Sequence, residues 1–370
     1  MPGMKSPILP SLSAAERARY GRHLLLAEVG EDGQRRLKAA RVLLVGAGGL
    51  GSPVALYLAA AGVGTLGVVD DDVVDASNLQ RQVLYRSDDI GRAKASAAAG
   101  ALRAQNPHLD VIEHETRLTA DNAIAVADGY DLIVDGADNF ATRYLVNDLA
   151  VLTGRRVVYG AIFRFDGQAT VFGGEGPCYR CLHPAPPPAA VAPNCAEAGV
   201  LGVLPGLVGM VQATEVVKLI VGAGRSLAGR LLMVDALEMR FYEMAIRRDP
   251  GCAVCGAAPS ITSLADTAAA CAAVAQSAWD VTVDDYAMRP DDWLLVDVRT
   301  AEEAAVDGMG GRLMPLHGID DGIDALRGRR VMVHCHSGGR SARAVEILRA
   351  AGVEAYNLRG GLVAWRASGR

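Results

Sequence analysis

Seven cysteines in a chain of 370 residues are the first candidates for chemistry. Four fall into two C-x-x-C pairs, Cys178/Cys181 and Cys252/Cys255, with Pro177 and Gly251 just before the first thiol of each. Two intervening residues let both thiols of a pair reach one ion, and two such pairs favour a structural Zn2+ site. A single pair would suit redox chemistry as well. Four thiolates leave no open coordination position, so no catalysis is expected of this metal. Cys335 is of another kind. Val331-Met332-Val333-His334 reads as a strand, Cys335-His336-Ser337-Gly338-Gly339-Arg340 as a loop, and Ser341 onward as a helix. A thiol there faces successive backbone N–H groups and a helix N-terminus, both of which stabilise a thiolate. Cys195 follows a proline-rich stretch with no base in view, so its residues alone leave it reactive or inert. Cys271 has no neighbours that argue a role.

A second centre lies near the N-terminus. Arg41-Val42-Leu43-Leu44-Val45 is a buried-strand run, Gly46-Ala47-Gly48-Gly49-Leu50-Gly51 follows it, and residues 53–61 read as an Ala/Leu-rich helix. Gly46, Gly48, Gly49 and Gly51 let a backbone approach a phosphate closely, and the helix N-terminus offers free N–H groups there. The next strand, residues 65–69, ends at Asp70, where a ribose-binding carboxylate belongs. NAD, FAD, S-adenosylmethionine and ATP all suit this arrangement. What separates ATP is the need to neutralise a triphosphate, and Asn78-Leu79-Gln80-Arg81-Gln82 together with Lys94 supply polar and cationic groups. Each of these cations, taken alone, would read as a solvated surface charge.

These centres require α/β scaffolding. Strands alternate with helices through the first part of the chain, and a further apolar run, Leu132-Ile133-Val134, ends in Asp135-Gly136-Ala137-Asp138. That alternation predicts a parallel sheet with helices on both faces. Five prolines in residues 184–193 make a loop between Cys181 and Cys195. Around residues 256–278 the chain becomes Ala- and Ser-rich with few charges, and a fresh α/β pattern then begins. The expected organisation is residues 1–260, a linker over 261–280, and residues 281–370. Composition excludes several classes: 51% apolar and 21% charged residues are those of a folded globular chain, and a net charge of −5 argues against a nucleic-acid-coating surface. Residues 1–10 hold no apolar run to act as a signal, and residues 200–211 are too short and too broken by Gly and Pro205 to span a bilayer. A cytoplasmic, reducing setting is expected, with no membrane and no nucleic acid among the partners.

The glycine loop, Asp70, residues 78–82, Lys94, and Asp135-Gly136-Ala137-Asp138-Asn139-Phe140 with Arg143 together resemble the MoeB/ThiF family, over about residues 10–260. Those enzymes are similar to ubiquitin-activating enzymes and adenylate small ubiquitin-like sulfur carrier proteins. The resemblance implies a Rossmann-like sheet domain that binds ATP through Asp70, Asn78, Arg81, Gln82, Lys94 and Asn139, with Asp138 holding Mg2+ and zinc on the four paired cysteines. It further implies a homodimer, since Arg22 matches an arginine that reaches the partner subunit's ATP site, and it matches Cys195 to the family's loop cysteine. Residues from about 280 resemble a smaller α/β rhodanese domain, carried by Asp297-Val298-Arg299, the loop from Cys335 to Arg340, and Leu358-Arg359-Gly360-Gly361. Arg340 stands five positions after Cys335, as in rhodaneses, where the phosphatase loop has six. Gly308-Met309-Gly310-Gly311 replaces the usual Gly-His-Ile-Pro-Gly stretch. The joint expectation is adenylation of a carrier ending in Gly-Gly, followed by attack of a Cys335 persulfide, with Cys195 releasing the thiocarboxylate; a cysteine desulfurase or thiosulfate would supply the sulfur. A competing reading is an NAD-dependent oxidoreductase with a rhodanese-like binding module, and a third is a scaffold of degenerate domains.

Overall fold

A computed structural model describes residues 9–186, 199–267 and 278–369. The chain forms two compact units, one from residues 9–185 with 199–267 and the other from 278–369. The first is built on an eight-stranded sheet in the order β3-β2-β1-β4-β5-β6-β7-β8. Its strands are β1 (Arg41–Val45), β2 (Thr65–Val69), β3 (Asp110–His114), β4 (Leu132–Asp135), β5 (Arg156–Phe163), β6 (Asp166–Phe172), β7 (Arg230–Asp235) and β8 (Arg240–Ala245). The five from β3 to β5 run parallel and the remainder antiparallel. Strands β1, β2 and β4 are continuous apolar runs with almost every residue buried, as a sheet covered on both faces requires. Val42 of β1 faces Leu66 of β2 on one side and Leu132 of β4 on the other. The chain leaves β1 in one direction and returns past it in the other. That reversal opens a crevice at the carboxyl ends of β1 and β4, where open α/β sheets place their ligands.

The helix Gly51–Ala61 packs on this sheet, as does Leu204–Val221, an 18-residue apolar helix buried along half its length. Pro205 does not break the apolar segment as expected. It sits in the first turn, where the missing N–H costs nothing, and the helix runs on to Val221. Gln212, fully buried on that helix, donates from Nε2 to the carbonyls of Asp135 (2.8 Å) and Val158 (3.2 Å), tying the end of β4 to the body of β5.

The expected boundary at 260 differs from the packing. Ile261 is buried beside the paired cysteines, and Thr267 donates its hydroxyl to Asp148 at 2.6 Å, so residues 261–267 belong to the first unit. The second unit has five parallel strands in the order β11-β10-β12-β13-β9: β9 (Asp280–Val281), β10 (Leu294–Asp297), β11 (Arg312–Leu313), β12 (Arg330–His334) and β13 (Glu354–Leu358). The helix Gly339–Ala350 closes its core of Val296, Val331, Val333 and Leu348.

Candidate active sites and metal centre

The glycine loop leaves β1 with Gly46 at φ +90° and folds tightly against the loop that leaves β4. A Cβ on Gly46 would stand 2.8 Å from the Gly136 carbonyl oxygen, and one on Gly51 only 2.0 Å from that of Gly46. Only glycine fits such backbone contacts. Asp70, at the end of β2, accepts from the Ala47 N–H of this loop (2.8 Å) and from the Asp72 N–H (3.0 Å). Burial pushes its carboxyl up, against the pull of Lys94 and these two donors. Lys94 opens the helix Lys94–Gln105 and is buried, 2.9 Å from the exposed carboxylate of Asp72. It is not the solvated surface charge that isolated reading suggests. Arg81 follows the turn Ala76–Asn78, donates to the Ser77 carbonyl (3.0 Å) and lays its stem by Gly49. Gln82 is buried against Gly48, and its Oε1 has no hydrogen-bond partner, an orphaned acceptor at the loop. Asn78 closes the capping box of its own turn with Asp75.

Across the crevice, Asp135 is fully buried at the end of β4. It accepts from the Ala137 N–H (2.9 Å) and lies 3.5 Å from Arg143 Nε, and burial pushes its carboxyl up. Arg143 in turn donates to the Ala137 carbonyl (2.8 Å) and covers the Tyr159 ring at 5.1 Å. Asp135 is thus held by the protein itself, whereas Asp138, three residues on, is exposed. Asn139 caps the helix Phe140–Leu152, accepting from the Thr142 N–H at 2.9 Å. The structure therefore brings Gly46, Gly48, Gly49, Gly51, Asp70, Arg81, Gln82 and Lys94 around one loop, with Asp138 and Asn139 after the neighbouring strand. Arg22 is exposed on the helical turn Gly21–Leu24 and forms no ion pair with them.

The four paired cysteines converge. Cys178 Sγ is 3.8 Å from Cys181 Sγ and 3.6 Å from Cys252 Sγ, Cys181 Sγ is 3.4 Å from Cys255 Sγ, and all four sulfurs lie within 4.8 Å of one another. Thiolates held tetrahedrally at ~2.3 Å from one Zn2+ stand about 3.8 Å apart, so the set fits that ion. Burial and the neighbouring thiols push the Cys178 thiol up and that of Cys255 up to about 11. At Cys252 burial is outweighed by hydrogen bonds from the Cys255 and Val254 backbone, and its thiol is moved down. Cys178 and Cys255 thus resist holding charge until a cation joins them. The first turn is anchored by Arg180, whose guanidinium grips Asp148 from Nε (2.9 Å) and Nη2 (2.7 Å) with both side chains buried, and stacks 4.6 Å from the Tyr144 ring.

In the second unit Cys335 is fully buried at the head of its loop, accepting from the Gly338 N–H at 3.1 Å. The loop packs on the Gly360–Gly361 turn, where the Leu362 N–H donates to the Cys335 carbonyl (2.9 Å) and a Cβ on Gly361 would meet that oxygen at 2.4 Å. Arg340 forms a bidentate pair with Glu303 (2.7 and 2.8 Å), and Glu303 also accepts from the Thr300 N–H, capping the helix Ala301–Val306. The Arg340 bond holds the Glu303 carboxyl down to about 2. Behind the loop, His334 is buried between Asp297 and the Gly310 carbonyl, and burial pulls its ring below the ordinary histidine value against the opposing pull of Asp297. Arg299 clasps Asp297 and donates to the Asp307 carbonyl (2.7 Å), bracing the segment where Gly308 to Gly311 depart from the rhodanese pattern. Cys195 and Cys271 lie outside the described residues.

The ThiF family model matches residues 20–254, and the rhodanese-like domain model matches residues 283–368. The chain belongs to the ThiF family. It is 48% identical to the probable adenylyltransferase/sulfurtransferase MoeZ of Mycobacterium tuberculosis, over 96% of this chain and 94% of that protein. It is 53% identical to the sulfur carrier protein adenylyltransferase of Thermus thermophilus over 69% of this chain and 97% of that one. The adenylyltransferase and sulfurtransferase MOCS3 of Mus musculus is 40% identical, covering 98% and 88%. A crystal structure of E. coli MccB with ATP superposes with a TM-score of 0.58 at 22% identity, over 64% of this chain and 74% of that one, a likeness of fold. The chain is accordingly an enzyme of the adenylyltransferase and sulfurtransferase class, and nothing in the geometry or the relatives favours the oxidoreductase reading.

Sequence reasoning missed several residues that hold the ThiF and rhodanese-like units in shape: Gln212, the Arg180–Asp148 pair, Glu303 and Ser341. Glu303 carried a signal, standing three residues after Thr300 as a capping box requires. The others had none, because the partners that fix them are remote in sequence: Asp135 and Val158 for Gln212, Asp148 for Arg180, and Asn357 for Ser341.

Proposed function

We propose that this enzyme adenylates the C-terminal glycine carboxylate of a small ubiquitin-like sulfur carrier protein ending in Gly-Gly, of the MoaD/ThiS kind, and converts it to a thiocarboxylate with sulfur carried on Cys335. The observation that supports this best is one chain holding both a phosphate-cradling glycine loop ringed by Asp70, Arg81, Gln82 and Lys94, and a buried cysteine whose sulfur accepts from the Gly338 N–H ahead of a helix. In this reading the loop N–H groups and the side chains of Arg81 and Lys94 hold the ATP phosphates, Asp70 takes the ribose, and Asn78 and Asn139 line the nucleotide. Mg2+ held by the exposed Asp138 would supply charge neutralisation at the triphosphate. The carrier carboxylate oxygen attacks the α-phosphorus, the bond to the departing pyrophosphate breaks, and an acyl-adenylate forms. Arg22, with the exposed Leu25 and Leu26 beside it, serves the site of a second copy in a homodimer. The sheet edge β8 and its approach expose Met239, Phe241, Tyr242 and Met244, an apolar surface suited to a carrier protein.

The outer sulfur of a Cys335 persulfide then attacks the acyl carbonyl, AMP leaves, and an acyl disulfide results. The Cys195 thiolate attacks Cys335 Sγ and expels the thiocarboxylate, leaving a disulfide for a thiol reductant to open. Arg340 shapes the persulfide loop. The persulfide comes from a protein such as a cysteine desulfurase, or from thiosulfate, in the cytoplasm. Zinc on Cys178, Cys181, Cys252 and Cys255 would be structural, and the two activities divide between the first unit, which takes in residues 261–267, and the second unit. Mass spectrometry of a Gly-Gly-ending carrier after incubation with ATP, Mg2+ and thiosulfate tests this. Pyrophosphate release and a C-terminal thiocarboxylate are expected, Cys335→Ala should keep the first and lose the second, and Cys195→Ala should stall at the acyl disulfide without added thiol. No pyrophosphate, or thiocarboxylate made by Cys335→Ala, would refute the reading.

A further inference from the structure

Besides the Gly338 N–H, a second donor within reach of the buried Cys335 sulfur is the hydroxyl of Ser341, itself fully buried, 3.4 Å away. A hydroxyl has one hydrogen to give. Three acceptors surround this one: Cys335 Sγ, the Gly338 carbonyl at 3.1 Å, and Asn357 Oδ1 at 2.6 Å. Asn357 is buried on β13, and its Nδ2 donates to Asp280 Oδ1 at 2.7 Å. A carboxylate only accepts, so the amide nitrogen must face Asp280 and the amide oxygen must face Ser341. The pairing of β9 with β13, which sets Asp280 opposite Asn357, fixes that orientation. While the sulfur is a thiol the Ser341 proton therefore rests on Asn357, at the shortest of its three contacts, and it can turn to the sulfur once that becomes a thiolate.

We propose that Asp280, acting through Asn357, holds the Ser341 hydroxyl proton away from Cys335, and that the turn of this one proton toward the sulfur governs how readily Cys335 works as a thiolate. This rests on the reading of Cys335 as the sulfur carrier. In loading, the Cys335 thiol gives its proton to water, and the thiolate attacks the outer sulfur of a donor persulfide, R–S–SH. A new S–S bond forms, the donor S–S bond breaks, and R–S⁻ leaves with the electron pair. Ser341, Asn357 and Asp280 are positioning residues, since the transferred sulfur bonds to none of them. Among the described residues, the other titratable and charged groups around the loop include His334 and His336 on either side of the thiol, Asp297 and Arg299 behind it, the Arg340–Glu303 pair, and Arg359 before the Gly360–Gly361 turn. None lies between Ser341 and Asn357, whose contact is direct.

The two ends of this relay should act in opposite directions, which a merely structural role would not produce. Asp280→Asn lets the Asn357 amide turn over and donate to Ser341, freeing the hydroxyl proton for the sulfur. Ser341→Ala removes the proton altogether. Iodoacetamide alkylation of Cys335 in the full-length protein, followed against pH by peptide mass spectrometry, reads this. Ser341→Ala is expected to slow alkylation at neutral pH about tenfold and move the profile to higher pH, since a hydrogen bond to a charged group is worth roughly that factor. Ser341→Thr should restore it, and Asp280→Asn should speed alkylation several-fold. Ser341→Ala reacting at the wild-type rate, or Asp280→Asn slowing as Ser341→Ala does, overturns the proposal. Retained thiocarboxylate formation by Cys335→Ala would instead overturn the underlying sulfur-carrier reading.

Discussion

The ion pair under the zinc turn offers the sharpest test of the packing. Asp148 is completely buried and accepts from Arg180 at 2.7–3.1 Å, from Asn147 Nδ2 at 2.9 Å and from the Thr267 hydroxyl at 2.6 Å. Asp148→Ala strands the Arg180 guanidinium, which is only 2% exposed and cannot reach water without opening the turn between Cys178 and Cys181. Removing one partner of a buried pair costs about 3–5 kcal/mol, a large part of the roughly 5–15 kcal/mol that holds a typical protein folded. The first unit should unfold at a urea concentration lower by roughly 1–2 M, given slopes near the upper end of about 1–3 kcal/mol per M. Because Arg180 lies inside the first cysteine pair, zinc should also pass faster to a chromogenic chelator. Arg103→Ala is the control. Its 2.6 Å pair with Glu113 is half-exposed and should move the midpoint by no more than about 1 kcal/mol in equivalent stability. Denaturation followed by circular dichroism, with zinc release measured in parallel, decides the matter. If Asp148→Ala behaves like Arg103→Ala in both assays, the argument that this buried pair holds the metal turn is refuted.

Two further outcomes are expected. Gly51→Ala would put a Cβ 2.0 Å from a backbone oxygen and should cost about 1–3 kcal/mol and disrupt nucleotide binding, whereas Gly49→Ala meets only side-chain atoms, those of Pro205 at 3.3 Å and Arg81 Cδ at 3.6 Å, and should cost less than about 1 kcal/mol; thermal melts of the two variants check this contrast. Glu303, whose carboxyl is held at about 2 in place of the ordinary 4.5, contributes stability that is complete above pH 4.5 and lost as pH falls toward 2. With 39% of its side chain exposed, screening limits that contribution to about 1 kcal/mol, and Glu303→Gln should flatten the acid transition in this window. All three tryptophans, Trp279, Trp293 and Trp365, lie in the second unit, so their fluorescence reports that unit alone.

Much of the architecture was legible because it rests on local rules. Apolar runs ending in glycine or aspartate gave β1, β2 and β4 within a residue of their observed ends, and the helix after the glycine loop began only two residues early, at Gly51. Pro205 misled because a proline reads as a break unless its position in the first turn is known. The end of the first unit misled for a different reason: residues 261–267 have the composition of a linker, and only the burial of Ile261 and the bond from Thr267 to Asp148 show that they pack. Lys94 looked like any surface lysine, since its pairing with Asp72 depends on a turn that returns the helix start to the end of β2.

The sequence by itself determined which residue types could do chemistry: four thiols at metal spacing, a phosphate-cradling loop after a strand, and a cysteine ahead of a helix. Spacing along the chain is enough for that, because each motif acts within a few residues of itself. Tertiary structure alone decided how those motifs are held and tuned. It set the two cysteine pairs within 4.8 Å across more than seventy residues of chain, and it committed Asp135 to Arg143 while leaving Asp138 exposed. It also gave the Ser341 proton to Asn357 through a strand pairing that joins residues 280 and 357. Hydrogen-bond direction and burial depend on partners that the fold brings from afar, and one-dimensional spacing carries no record of them.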